Sequence, residues 1–89
     1  MSAQEANGGS GSMSQDVLTY LAKSLVDHPD EVSVTAVDEG GETVLELRVH
    51  PDDMGKVIGK RGRTAKAIRT MVKAAATRDG TMVAVEIVE

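Results

Sequence analysis

The sequence contains no cysteine. A disulfide framework and a cysteine-based zinc site are therefore excluded, and the usage suits a reducing compartment. Aromatic residues are nearly absent as well: Tyr20 is the single Phe, Tyr or Trp in 89 residues. Modules that stack bases on aromatic rings, such as RRM domains and many OB-folds, are disfavoured by that scarcity. No apolar run approaches the roughly 20 residues of a membrane span. The N-terminus also lacks the charged-then-apolar order of a secretory signal. The expectation is a cytoplasmic protein with no membrane partner. At 89 residues, one domain is the ceiling.

The third absence is local. Between Met54 and Arg78 there is no acidic residue, yet Lys56, Lys60, Arg61, Arg63, Lys66, Arg69, Lys73 and Arg78 all fall there. The only other bases are Lys23 and Arg48, and all 14 acids lie outside the segment, giving a net charge of −4. Net charge alone argues against nucleic acid. The segregation argues for a localised anion-binding face, with a solvated helix surface as the plain alternative.

What is present organises readily. Residues 1–12 are polar and rich in Gly and Ser, and read as a flexible tag or linker ahead of a domain at 13–89. Ser14 is placed to cap a helix over about 14–27, with Leu18, Leu21, Ala22 and Leu25 at helical spacing. Tyr20 is expected to be partly buried on that helix. Pro29 stops it. Alternation over 32–37 and 43–49 predicts two strands joined through Asp38-Glu39-Gly40-Gly41. Pro51, Asp52 and Asp53 suit the start of a short helix over about 52–58. Gly59 to Gly62 interrupts it, and a helix follows over about 63–78 with the stripe Ala65, Ile68, Met71, Val72 and Ala75. Met54 and Met71 read as core filler. Val83, Val85 and Ile87 mark a last strand. The expected fold is α+β in the order α-β-β-α-α-β: a mixed three-stranded sheet covered on one face by three helices. The third strand should run parallel to the second, because a helical crossover separates them. His28 and His50 each precede a proline and read as turn residues, with no metal-ligating neighbour by spacing.

The informative segment is Val57-Ile58-Gly59-Lys60-Arg61-Gly62-Arg63-Thr64-Ala65-Lys66-Ala67-Ile68. Two glycines bracket two bases between amphipathic helices. Glycine lets a phosphate backbone approach closely. The turn opens a helix whose free N–H groups and dipole favour an anion. Lys60 and Arg61 add charge at the same point.

This segment resembles the KH signature of an aliphatic pair, GxxG, and an apolar helix, and the element order resembles the type II arrangement. The His50-Pro51-Asp52-Asp53 lead-in and the Arg63-Thr64-Ala65 continuation are more specifically similar to the bacterial KhpA (YlqC) family, over nearly all of residues 13–89. The resemblance implies a single KH domain that binds single-stranded RNA and acts as an RNA chaperone or post-transcriptional regulator. It implies that Gly59, Lys60, Arg61 and Gly62 clamp the backbone, and that Lys56, Arg63 and Lys66 contact phosphates. Ile58, Ala65, Ile68 and Leu47 would line or support a base-binding groove. Ala65 stands where many KH domains carry a larger aliphatic residue, which implies a shallower groove. The resemblance also implies a homodimer, or pairing with a second KH protein of the KhpB (Jag/EloR) type, and links to cell division and cell shape. No cofactor or metal is implied.

Rival motifs fit poorly. A helix-hairpin-helix module would have one apolar residue between its glycines. A P-loop needs four residues between glycines and a Ser or Thr after its Lys, whereas three residues separate Gly55 from Gly59 and Arg61 follows Lys60. No activated-nucleophile or acid-base pattern supports an enzyme. The alternative function is a protein-interaction module, in which the basic strip docks a partner and RNA binding is secondary.

Overall fold

Alternating branched residues build the centre of the molecule. In the computed structural model, which describes residues 12–89, β2 (Glu42–Arg48) is the middle strand of a sheet ordered β1-β2-β3. It buries Leu45 and Leu47 on one face. β1 (Ser33–Glu39) pairs with it antiparallel, with Val34 opposite Leu47 and Ala36 opposite Leu45. Gly40 and Gly41 alone separate the last paired residues, Glu39 and Glu42. β3 (Val83–Ile87) lies parallel on the other side and sets Val85 beside Leu45 and Ile87 beside Leu47. One face of the sheet is thus apolar across all three strands. The opposite face carries Thr35, Glu46 and Arg48, the last two joined by a 3.4 Å ion pair.

Three helices cover the apolar face. α1 (Ser12–Leu25) buries Leu18 and Ala22, and α3 (Arg63–Asp79) buries Ala65, Ile68, Val72, Ala75 and Ala76. These two pack side by side, α1 leaning on β1 and α3 on β3. Their side chains meet Leu45, Leu47, Val83 and Val85 in one core cluster. α2 (Met54–Ile58) is a short helix behind a 3₁₀ turn at Pro51–Asp53, and it inserts Val57 beside α3. The order α-β-β-α-α-β and the mixed sheet are as the sequence predicts.

Expectations for α1, Tyr20 and Met71 are corrected. α1 begins at Ser12 and ends at Leu25, so Ser14 is a buried residue inside the first turn and not its cap. Tyr20 is 71% exposed. It follows the buried Leu18 by two positions, which on a helix points it to the opposite side. Met71 is 51% exposed while Ala76 is buried: Met71 lies at the margin of the stripe centred on Ile68 and Val72, and Ala76 lies within it. The tag or linker expected at residues 1–12 lies outside the described residues except for Ser12. No helix among the described residues is long and apolar enough to cross a membrane.

Leu47 is fully enclosed at the sheet centre. Truncation there loses transfer energy and leaves a cavity, so Leu47→Ala should cost about 3 kcal/mol. Met71→Ala, on the surface, should stay within about 0.5 kcal/mol of the parent. Urea denaturation of both variants checks the placement; equal losses would contradict it.

Candidate nucleic-acid interface

The turn between α2 and α3 is built from residues that side chains disfavour. Gly59 N–H bonds to the Gly55 carbonyl at 2.8 Å and ends α2, then Gly62 N–H reaches back to the Gly59 carbonyl at 3.1 Å. Gly59 has φ 77° and ψ 171°, and Gly62 has φ 73° and ψ 13°. The two glycines are required for different reasons. A Cβ on Gly59 would overlap the Thr64 side chain and lie 2.9 Å from the Thr64 backbone nitrogen. A Cβ on Gly62 would meet nothing within 4 Å, so only its left-handed backbone calls for glycine there. Arg61 between them also adopts φ 58°, the one non-glycine residue with positive φ among those described. Such a conformation in a residue that carries a Cβ stores strain, and strain of this kind clusters at ligand-binding turns.

Charge and dipole converge on this turn. Lys60, Arg61, Arg63 and Lys66 are exposed, and none has an acidic partner within ion-pair distance among the described residues. α3 opens without an acidic residue in its first turn and without a side-chain cap. Its terminal N–H groups therefore face the space that the loop cations border. Lys56 behaves differently: its ammonium lies 3.3 Å from Asp27, two residues past the end of α1.

The apolar residues expected to form a groove divide into two sets. Ile58 is 36% exposed and lines a hollow of about 340 Å³ together with Val49, Pro51, Met54 and Val88, at the C-terminal ends of β2 and β3. Ala65, Ile68 and Leu47 are buried. None of the three is among the residues that line the hollow. Val49, Met54 and Val88 line the hollow instead, and the family resemblance singled out none of them.

Sequence reading missed the clasp that holds α2. Asp53 is fully buried, and its carboxylate accepts from the backbone N–H groups of Asp27 at 3.2 Å and His28 at 3.0 Å, and from His28 Nδ1 at 3.0 Å. Burial pushes the Asp53 carboxyl up. The His28 side chain, the two backbone N–H groups and the charge of His28 together outweigh it and hold the group below its ordinary 3.8. His50 Nδ1 accepts from Asp52 N–H at 3.0 Å, and its ring stacks on that of His28 with centroids 4.0 Å apart and planes 13° from parallel. Both histidines do open turns, as expected. Their pairing had one visible signal: the tripeptide His-Pro-Asp occurs twice, at 28–30 and at 50–52. No group of three or more His, Cys, Asp or Glu among the described residues is placed to hold a metal ion.

Two outcomes follow from this geometry. Gly59→Ala should disrupt the turn and destabilise the domain by more than Gly62→Ala, which should cost about 1 kcal/mol; Gly55→Ala, where φ is ordinary and a Cβ meets nothing within 4 Å, should be tolerated. Thermal melts rank the three. Because the folded Asp53 carboxyl sits below its unfolded value, its stabilisation is full above the unfolded pKa of about 3.9 and is lost as pH falls through the folded value. Asp53→Asn should therefore melt well below the parent at pH 7, and the gap should narrow below about pH 4.

A family profile described as KhpA/KhpB, KH domain, matches residues 15–87. The chain is 53% identical over 73 residues to the RNA-binding protein KhpA of Halalkalibacterium halodurans, covering 82% of this chain and 96% of that one. It is 57% identical over 74 residues to the RNA-binding protein KhpA of Clostridium acetobutylicum, covering 83% and 99%. Among solved structures, Era of Aquifex aeolicus superposes with a TM-score of 0.59 at 19% identity, over 83% of this chain and 29% of Era. That likeness concerns the fold alone, and this chain spans under a third of Era's length. Fold, loop and relatives agree: the chain is a single KH domain and belongs to the KhpA/KhpB family.

Proposed function

We propose that this protein binds single-stranded RNA in the cytoplasm, as an RNA chaperone or post-transcriptional regulator, by clamping the sugar-phosphate backbone at Gly59–Gly62. The observation that carries the reading is the coincidence of a strained, side-chain-poor turn with unpaired Lys60 and Arg61 at the uncapped N-terminus of α3. A GxxG turn of this kind spans about four nucleotides. Arg63 and Lys66 extend the phosphate contacts along the first turns of α3, while the Ile58 hollow receives bases without ring stacking. The relatives' own description as RNA-binding proteins supports the reading. Lys56 contributes less than the loop cations, because Asp27 already neutralises it.

A second reading is supported by a different surface. Met13, Tyr20 and Met71 are exposed together around a hollow of about 600 Å³ between α1 and α3, near Asp79 and so at the end of α3 remote from the loop. Such a patch suits self-association or docking of a second KH protein of the KhpB type. RNA binding and pairing are compatible, since the two surfaces do not overlap.

Both readings yield measurable outcomes. Lys60→Asp with Arg61→Asp should abolish binding to single-stranded RNA and leave the circular dichroism spectrum unchanged, since both side chains are exposed. Three or four phosphate contacts should give the parent a log–log salt slope of about −2 to −3. Duplex RNA should bind more weakly, because its bases cannot enter the hollow. Survival of binding in the folded double variant would exclude the loop as the clamp. In sedimentation, the parent should self-associate at micromolar concentration and Tyr20→Asp with Met71→Asp should not; a parent that stays monomeric would remove the second reading.

A further inference from the structure

α3 lies over the free edge of the sheet. Among the described residues, β3 pairs only with β2. Met82 accepts from Thr43 N–H at 2.9 Å, and Val88 N–H donates to Leu47 at 2.9 Å. The even-numbered residues of this strand thus turn their backbone groups toward β2. By the alternation of a strand, Val83, Val85 and Ile87 turn theirs to the open edge. One of those outward groups is engaged: Arg69 Nε–H donates to the Val85 carbonyl at 3.3 Å.

Arg69 lies on the exposed side of α3, between Lys66 and Lys73. The three form a basic stripe that leaves the loop and follows β3. The Ile58–Val88 hollow lies at one end of the strand, and a smaller hollow of about 200 Å³ beside Lys73 and Val83 lies at the other. Arg69 sits between them. Among the described residues no acid pairs with it and no acceptor holds its terminal nitrogens. A guanidinium carries five N–H donors in one rigid plane and keeps its charge at any physiological pH. Tethering Nε to the strand spends one donor and fixes the plane. The remaining donors form a fork beside the open edge, where a single strand leaving the loop would pass.

We infer that Arg69 reads a base, favouring guanine over adenine at one nucleotide next to those clamped by the loop; this rests on the RNA reading above. A planar fork of donors matches two acceptors on one base edge. Guanine offers O6 and N7 together. Adenine offers N7 beside an amino group that is itself a donor, so one arm of the fork meets a hydrogen. Single-stranded bases expose that edge, which a duplex would hold in its deep groove. The bland role for Arg69 is to cover the β3 edge against strand pairing with other molecules.

The test uses fluorescence anisotropy with short oligouridines carrying one guanine or one adenine, moved along each position. The parent should prefer guanine at one position by about tenfold. Arg69→Lys keeps the charge but loses the fork. It should bind plain oligouridine within about twofold of the parent, keep the parent's salt slope, and show a guanine-to-adenine ratio near unity. A parent without preference at any position, or a lysine variant that retains the preference, overturns the inference. A lysine variant that self-associates or melts early while still discriminating assigns Arg69 to edge protection and equally overturns it. Complete absence of binding by the parent to any oligonucleotide removes the RNA reading itself, whereas binding without discrimination removes only the role of Arg69.

Discussion

The buried carboxylate of Asp53 fixes where the loop stands. α2 is five residues long, too short to hold helical form or position by itself. Its N-terminal end is fastened because Asp53 draws in the segment that follows α1 through the backbone of Asp27 and His28 and through the His28 ring. Its middle is fastened by Val57, which is wholly buried. Lys56 and Asp27 add an exposed ion pair across the same junction, a contact of small energy that restrains direction more than it stabilises. The C-terminal end of α2 is then the loop, and its course is set by the close approach of Gly59 to Thr64. A carboxylate at one end and a missing Cβ at the other place Lys60 and Arg61 at the mouth of α3.

That placement accounts for an acidic protein that presents a basic face. A net charge of −4 acts at long range and is screened within about 10 Å at moderate salt. At contact, the unpaired cations and the α3 dipole dominate. The acids are not idle in this arrangement. Asp53 is buried as an anchor, Asp27 neutralises Lys56, and Glu46 pairs with Arg48 on the far face of the sheet. Among the described residues, every cation of the loop and of α3 lacks such a partner, and of the others only Lys23 on α1 does.

Much of the fold was legible because its strands have period two and its long helices bury narrow stripes. Leu45, Leu47, Val83 and Val85 are buried as their alternation requires. The hairpin was marked by Gly40-Gly41, and the loop by glycines flanking two bases. Errors arose where a period leaves a residue at the margin. Met71 is apolar and nearly in phase with Ile68, yet the stripe tilts toward Ala76. Tyr20, expected to be partly buried, has a phase relative to Leu18 that points it outward. The site was legible in its loop and cations but not in its support. His28 and His50 are 22 positions apart, and the repeated His-Pro-Asp is the one trace in the chain of the stacking of their rings. Asp53 read as a residue for the positive end of a helix. Only the folded chain brings it against the backbone of Asp27 and His28. Arg69 was one base among eight until β3 supplied the carbonyl that orients it.

The central claim is that nucleic acid meets this chain at the α2–α3 turn and the adjoining hollow, and not at the apolar face of α1. Titration of the ¹⁵N-labelled protein with a short single-stranded RNA, followed amide by amide, tests it most directly. The account predicts the largest shifts at Gly59 through Thr64, with smaller ones at Ile58 and Val88, and little change from Met13 to Leu21. Shifts concentrated around Tyr20 and Met71, with the loop amides unmoved, would contradict it.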